Sequence, residues 1–72
     1  MACINPDGTL SPTAKKFLRS VEEPLTLIEI SQRIMVPVFM LRVSVRELLG
    51  AGYVKEVGEA FQVTEKGRVK AG

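Results

Sequence analysis

The chain has 72 residues, of which 46% are hydrophobic and 25% are charged, and its formal net charge is +2. This length suits one domain, and the composition is that of an ordinary globular chain. No run of residues reaches the ~18 consecutive apolar positions that a membrane span needs, and the first residues lack the basic stretch and apolar block of a secretory signal. We therefore expect a single cytoplasmic domain with no membrane contact.

Catalytic chemistry finds little support in the residue types present. The chain has no histidine, which excludes His-assisted nucleophilic catalysis and His-ligated metal sites. The single Cys3 cannot form an internal disulfide, and this fits a reducing compartment. The eight carboxylates are isolated or directly adjacent, so nothing orients an acid/base pair. We expect a binding module that is not an enzyme, with no cofactor, no metal and no small-molecule substrate.

The first predicted elements are an N-terminal turn or arm over residues 1–10 and a helix over residues 11–23. The "NPDG" stretch is typical of a turn. Ser11 can cap the helix, and Pro12 suits its first position. Apolar residues recur there at helical spacing, at Ala14, Phe17, Leu18 and Val21. The opposite side carries Lys15, Lys16 and Arg19, which either contact phosphates or form a solvated surface.

Two further helices are predicted, over residues 26–35 and 37–50. Thr26 and Glu29 have the spacing of a capping box, which places the start of the second helix near Leu27. The "MVPV" stretch is a short break because the residue before a proline avoids helical angles. Gly50 or Gly52 can take the left-handed conformation that ends the third helix.

The last third of the chain alternates between apolar and polar residues. "YVKEV" and "AFQVT" flank the dipeptide Gly58-Glu59, a pattern that predicts a two-residue hairpin over residues 53–64. Phe61 and Val63 would face the helices. Thr64 could cap one further turn, and residues 65–72 are otherwise predicted to be a basic C-terminal tail.

Three stretches in this order resemble the winged helix-turn-helix domain of MarR- and PadR-like transcription regulators. "PLTLIEISQRI" is similar to the second helix of that family, "VRELLGAGYV" to the end of its recognition helix and the first wing strand, and "FQVTEKGR" to its second wing strand. The resemblance implies an α+β fold of three helices followed by a two-stranded β-hairpin wing. It also implies binding of double-stranded DNA, with the third helix in the major groove and the wing, residues 53–63, along the backbone or minor groove. The DNA-contacting candidates are then Arg33, Phe39, Arg42, Val43, Arg46 and Lys55.

A helical wheel divides the third helix into two unlike sides. Leu41, Val45 and Leu48 form the core stripe, and Ser44 also points toward that side. The opposite side carries the apolar pair Phe39 and Val43, bordered by Arg42, Arg46, Met40 and Glu47. A helix that is apolar on both sides is normally buried on both sides.

Three interpretations of the outer side remain open. In the first, Arg42 and Arg46 contact phosphates or guanine edges while Phe39 and Val43 touch thymine methyls. In the second, Phe39, Met40 and Val43 form a protein interface, either in a homodimer or with another partner, and the arginines form its rim. In the third, the N-terminal segment covers the patch with Ile4 or Leu10, or the helical register is different.

The resemblance favours DNA binding as the function, weak alone or dependent on a dimer. The cations available to phosphates are Arg33, Arg42, Arg46 and Lys55, with Lys66, Arg68 and Lys70 after the wing. If four of these neutralised phosphates, log K would fall with log salt at a slope of about −3.6. The tip of the wing argues the other way because its Glu59 carboxylate would face the phosphates. The expected function is therefore a small transcription-regulator-like protein, with a protein-interaction winged helix as the alternative.

Overall fold

The computed structural model describes residues 4–72 and shows a small α+β fold of helices and one antiparallel hairpin. The elements are α1 (Pro12–Ser20), α2 (Leu27–Ile34), α3 (Val38–Gly50), β1 (Val54–Val57), β2 (Ala60–Val63) and α4 (Glu65–Ala71). The predicted order of three helices followed by a hairpin is confirmed. Cys3 lies outside the described residues.

The N-terminal turn leads directly into the core. Asn5 N–H donates to the Thr9 carbonyl over 2.7 Å, and Gly8 has a positive φ of 89°. The turn brings Ile4 and Leu10 together as an antiparallel bridge. Leu10 is buried in the core and Ile4 packs partly against it. Residues 4–10 therefore contribute apolar surface to the interior of the domain.

α1 begins as predicted but ends three residues earlier than predicted. Ser11 Oγ accepts from Ala14 N–H, with Pro12 in the first turn. The helix was expected to reach residue 23, whereas it ends at Ser20. The Val21 carbonyl instead accepts from Val63 N–H over 2.9 Å. Just beyond the end of α1, this carbonyl is therefore hydrogen-bonded to β2 and not to a further turn of helix.

α2 and α3 are joined by a tight, hydrogen-bonded turn. The capping box at the start of α2 is confirmed: Glu29 Oε1 accepts from Thr26 N–H, and Thr26 Oγ1 accepts from Glu29 N–H. Met35 ends α2 in the left-handed region at φ 60°. Ser31 Oγ then donates to the Val36 carbonyl over 2.6 Å. These bonds fix the direction in which α3 leaves the turn.

The hairpin has the predicted two-residue turn and an additional backbone partner. Gly58 has a φ of 64°, and β1 pairs with β2 from Val54↔Val63 to Val57↔Ala60. Leu25, in the extended segment before α2, exchanges two backbone hydrogen bonds with Phe61, at 3.0 and 2.8 Å. This bridge ties the hairpin to the helices along the outer edge of β2.

The prediction of a basic tail over residues 65–72 was wrong, because this segment forms α4. Thr64 caps the helix by accepting from Gly67 N–H, as its position suggested. Gly67 and Ala71 are both buried, and α4 packs on α1 and β2. Two small residues one turn apart allow the helix backbone to approach its neighbours closely, and this contact stabilises what the sequence predicted as a tail.

The core lies between the helices and the inner face of the hairpin. Its largest fully buried side chains come from α1, the residue after it, α2 and α3: Phe17, Leu18, Val21, Ile30, Leu41 and Leu48. Within the described residues, no buried side-chain nitrogen or oxygen lacks a hydrogen-bond partner. No helix in the described part of the chain combines the length and apolar character needed to cross a membrane.

Candidate binding face of the third helix

The buried side of α3 is the one that the helical wheel predicted. Leu41, Val45 and Leu48 are in the core, and Ser44 is buried beside them. The Ser44 hydroxyl donates to the Met40 carbonyl one turn earlier, over 3.3 Å. This bond satisfies the hydroxyl within the helix. The register of α3 is thereby fixed, and the opposite side must face outward.

The outer side of α3 exposes large apolar side chains. Phe39 is 71% exposed and Val43 is 52% exposed. The interpretation in which Ile4 or Leu10 covers this patch is wrong, because both residues pack into the core. Scattered exposed apolar residues are common on protein surfaces. Here, however, the two lie one helical turn apart on the outer face of α3, and both line a groove on that face.

Three shallow grooves run around this side of α3 and share residues. The first, which we name the apolar groove, has a volume of about 180 Å³ and is lined by Thr13, Phe39, Met40, Val43 and Ser44. The second, the arginine cleft, is lined by Arg42, Val43 and Arg46. The third, the hairpin groove, lies between α2, α3 and the hairpin and is lined by Thr26, Leu27, Ile28, Val38, Arg42, Glu59 and Phe61. Val43 joins the first two grooves and Arg42 joins the last two, so they form one continuous strip.

The arginines in the strip are exposed and form no ion pair with any described carboxylate. The ion pairs between described residues both use Arg68, which contacts Glu22 at 3.0 Å and Glu65 at 3.2 Å. These contacts, that with Glu22 first, raise the pKa of the Arg68 guanidinium. Arg42 and Arg46 are one helical turn apart and both line the arginine cleft, so their guanidinium groups are available to an incoming anion.

Charge is unevenly distributed along the chain. Residues 25–63, which form α2, α3 and the hairpin, contain four Arg or Lys and four Glu, and thus have no net charge. The other six cations and four carboxylates lie in residues 1–24 and 64–72 and account for the whole net charge of +2. The elements that form most of the strip therefore carry no net charge as a group, and two of their four cations, Arg42 and Arg46, lie on α3.

The structure brings together most of the predicted site residues but leaves two apart. Phe39, Met40, Arg42, Val43 and Arg46 all line the strip. Arg33, in the last turn of α2, and Lys55, in β1, are exposed but line none of the three grooves. Arg33 and Lys55 therefore lie outside the strip, and the cations counted for phosphate contact do not all belong to it.

The other residues that line the strip were not predicted to belong to a site, and Thr13 and Ile28 illustrate why. Thr13 reaches the apolar groove from α1, and no local pattern reveals where α1 crosses α3. Ile28 lines the hairpin groove and is 63% exposed. A signal for Ile28 was present, because it lies off the core stripe of Leu27, Ile30 and Ile34 and so had no interior contact to make.

No protein-family model, curated protein or solved structure matches this chain. Among the described residues, no group of three or more His, Cys, Asp or Glu side chains could hold a metal ion.

Proposed function

We propose that this chain is a winged helix-turn-helix domain that binds a protein partner through the exposed face of α3. The observation that carries the proposal is the strip itself. The exposed side chains of Phe39 and Val43 line the apolar groove, and Arg42 and Arg46 line the adjoining arginine cleft. Protein interfaces combine an apolar centre with aromatic and arginine residues, and these residue types dominate the binding free energy.

The winged-helix part of the proposal is supported by topology. A helix pair joined by a tight turn precedes a two-stranded hairpin, and Leu25 bridges Phe61 as a short third strand segment. The motifs that suggested the family, "VRELLGAGYV" and "FQVTEKGR", fall on the end of α3 with β1 and on β2 with α4. On this proposal α3 is the counterpart of the recognition helix, and the hairpin is the counterpart of the wing.

The burial energetics favour a protein partner for this face. Covering a large apolar side chain such as that of Phe39 contributes about 1.5–3 kcal/mol. A standard interface buries ~800 Å² of accessible surface on each partner, which is about a fifth of the 4460 Å² of accessible surface of this chain. DNA offers an apolar side chain little beyond thymine methyl groups, and most of the Phe39 ring would remain without a matching surface.

DNA binding by the same face is the second candidate, and the unpaired arginines of the cleft favour it. Arg42 and Arg46 lie where a recognition helix would meet base edges or phosphates. Against this, residues 25–63, which include α3, have no net charge. Of the cations that follow the hairpin, Arg68 is engaged by Glu22 and Glu65, and α4 packs on α1 and β2. The electrostatic attraction that dominates nonspecific DNA affinity is therefore weak here.

A titration with DNA distinguishes the two candidates. The labelled chain is titrated with a random-sequence duplex at low and moderate salt, and amide shifts are followed. The protein-docking proposal predicts no saturable shifts at Arg42, Val43, Arg46 or Lys55 at moderate salt. Saturable, salt-sensitive shifts at these residues would establish the DNA candidate in its place.

A further inference from the structure

We infer that the partner presents an acidic, amphipathic helical segment, with an apolar side chain in the apolar groove and carboxylates on the arginine cleft. The inference rests on the proposed function, since it names the chemistry of the protein that the α3 face binds. It is carried by the juxtaposition of the two grooves and by the charges that border them.

The two grooves can be filled by one segment because they share a wall. Val43 lines both the apolar groove and the arginine cleft. A side chain seated beside Phe39 and Met40 therefore lies next to groups that contact Arg42 and Arg46. A helix laid on this face presents neighbouring side chains at positions three and four residues apart. An apolar stripe with acidic residues at its edge matches this spacing.

Carboxylates are the groups that the arginine cleft lacks. Neither Arg42 nor Arg46 forms an ion pair with a described carboxylate. A guanidinium keeps its charge at every physiological pH and binds a carboxylate through two parallel hydrogen bonds. A neutral partner would bury these charges unpaired, and a basic partner would repel them. Only an acidic segment satisfies the apolar and the charged parts of the strip together.

A second copy of the chain fits the strip less well than an acidic segment. Two copies that met through their α3 faces would bring two pairs of arginines into one interface. Among the described carboxylates, Glu59 lines the hairpin groove together with Arg42, and none lines the arginine cleft. In a dimer formed through α3, the arginines of one copy would therefore lie near those of the other, where carboxylates would be needed to neutralise them.

The test uses two matched synthetic peptides of about four helical turns. Both carry leucines on one face; one has glutamates beside them and the other has glutamines at the same positions. Each is titrated into the complete chain, with binding followed by amide shifts. We expect the glutamate peptide to shift the amides of Phe39 to Arg46 and to bind at least about tenfold more tightly than the glutamine peptide.

Variants of the protein assign the effect to the two grooves. The double variant R42Q/R46Q should bind the glutamate peptide at least about tenfold more weakly and the glutamine peptide unchanged. The control K66Q/K70Q removes the same charge from α4, and it should change the affinity for the glutamate peptide less than threefold. F39S should weaken both peptides. Its spectrum and that of R42Q/R46Q, recorded without peptide, show whether each variant is folded.

Each other outcome overturns a defined part of the argument. Equal binding of both peptides on α3, lost in F39S, would retain protein docking and exclude the acidic partner. Phe39-dependent self-association with no effect of either peptide would replace the acidic segment with a second copy. No binding of either peptide on α3 would overturn the inference. If duplex DNA then gave saturable shifts on the same face, the proposed function would fail with it.

Discussion

Gly67 lies in the first turn of α4, where the helix packs against Tyr53, in the turn between α3 and β1, and against Val63 of β2. A Cβ atom added at this residue would overlap the Tyr53 carbonyl group and would lie 2.9 Å from a methyl group of Val63. The backbone of Tyr53 cannot move away easily, since its carbonyl accepts from Thr64 N–H over 3.0 Å. The close approach of α4 to the Tyr53 backbone thus depends on the absence of a side chain at Gly67.

We predict that Gly67→Ala lowers the free energy of unfolding by at least about 2 kcal/mol, because a methyl group must be forced into packed backbone. Gly50→Ala is the matched control: Gly50 is also helical, but its added Cβ would meet nothing within 4 Å. There the higher helix propensity of alanine should stabilise the protein slightly. Denaturant unfolding measures both, and equal effects of the two substitutions would contradict the packing of α4.

Glu29 makes stability depend on pH through the capping box of α2. Hydrogen bonds from the backbone and then the side chain of Thr26 hold the pKa of the Glu29 carboxyl below its usual value of 4.5. A carboxyl with a lowered pKa stabilises the fold above its unfolded-state pKa, and this stabilisation disappears as pH falls through the folded-state pKa. We expect Glu29→Gln to reduce the loss of thermal stability between neutral pH and about pH 3. An unchanged pH profile would show that the carboxylate contributes nothing.

At the scale of elements, the sequence was most informative where a signal is local. The caps of α1 and α2, the glycine of the hairpin turn and the core stripe of α3 each depend on residues within a few positions of one another. The end of α1 and the existence of α4 depend instead on contacts between residues far apart in the sequence. The first depends on the bond from Val63 N–H to the Val21 carbonyl, and the second on burial of Gly67 and Ala71 against elements far apart in sequence. The same limit applies to the site, where the face of α3 was predictable but the contribution of Thr13 was not.

Removing α4 distinguishes a packed helix from a tail. A chain ending at Val63 would lose the buried Ala71, the Thr64 cap and the ion pair of Arg68 with Glu22. It would also uncover part of α1. We expect the melting temperature to fall by several degrees, since ~1 kcal/mol corresponds to about 4–8 °C in a domain of this size. If the truncated chain melted at the same temperature as the complete one, residues 65–72 would not stabilise the fold and would behave as a tail.

Across the whole fold, one side of α3 packs into the core, and the other side exposes Phe39 and Val43. We predict that the double variant F39S/V43S changes the free energy of unfolding by less than about 0.5 kcal/mol, because both side chains already face solvent. Leu41→Ala, on the buried side of the same helix, should cost about 2–5 kcal/mol. Chemical denaturation provides both values. A large loss in F39S/V43S would mean that the pair belongs to the interior, and it would remove the apolar centre of the proposed interface.

Site-specific photocrosslinking in the native cell tests our proposal that the exposed face of α3 contacts a protein. A photoreactive phenylalanine analogue replaces Phe39 in one variant and Val69 in another; Val69 is an apolar residue of α4 that is 73% exposed. Position 39 should give a discrete, protease-sensitive adduct that position 69 does not give. A nuclease-sensitive adduct at position 39, or equal yields from the two positions, would contradict the claim.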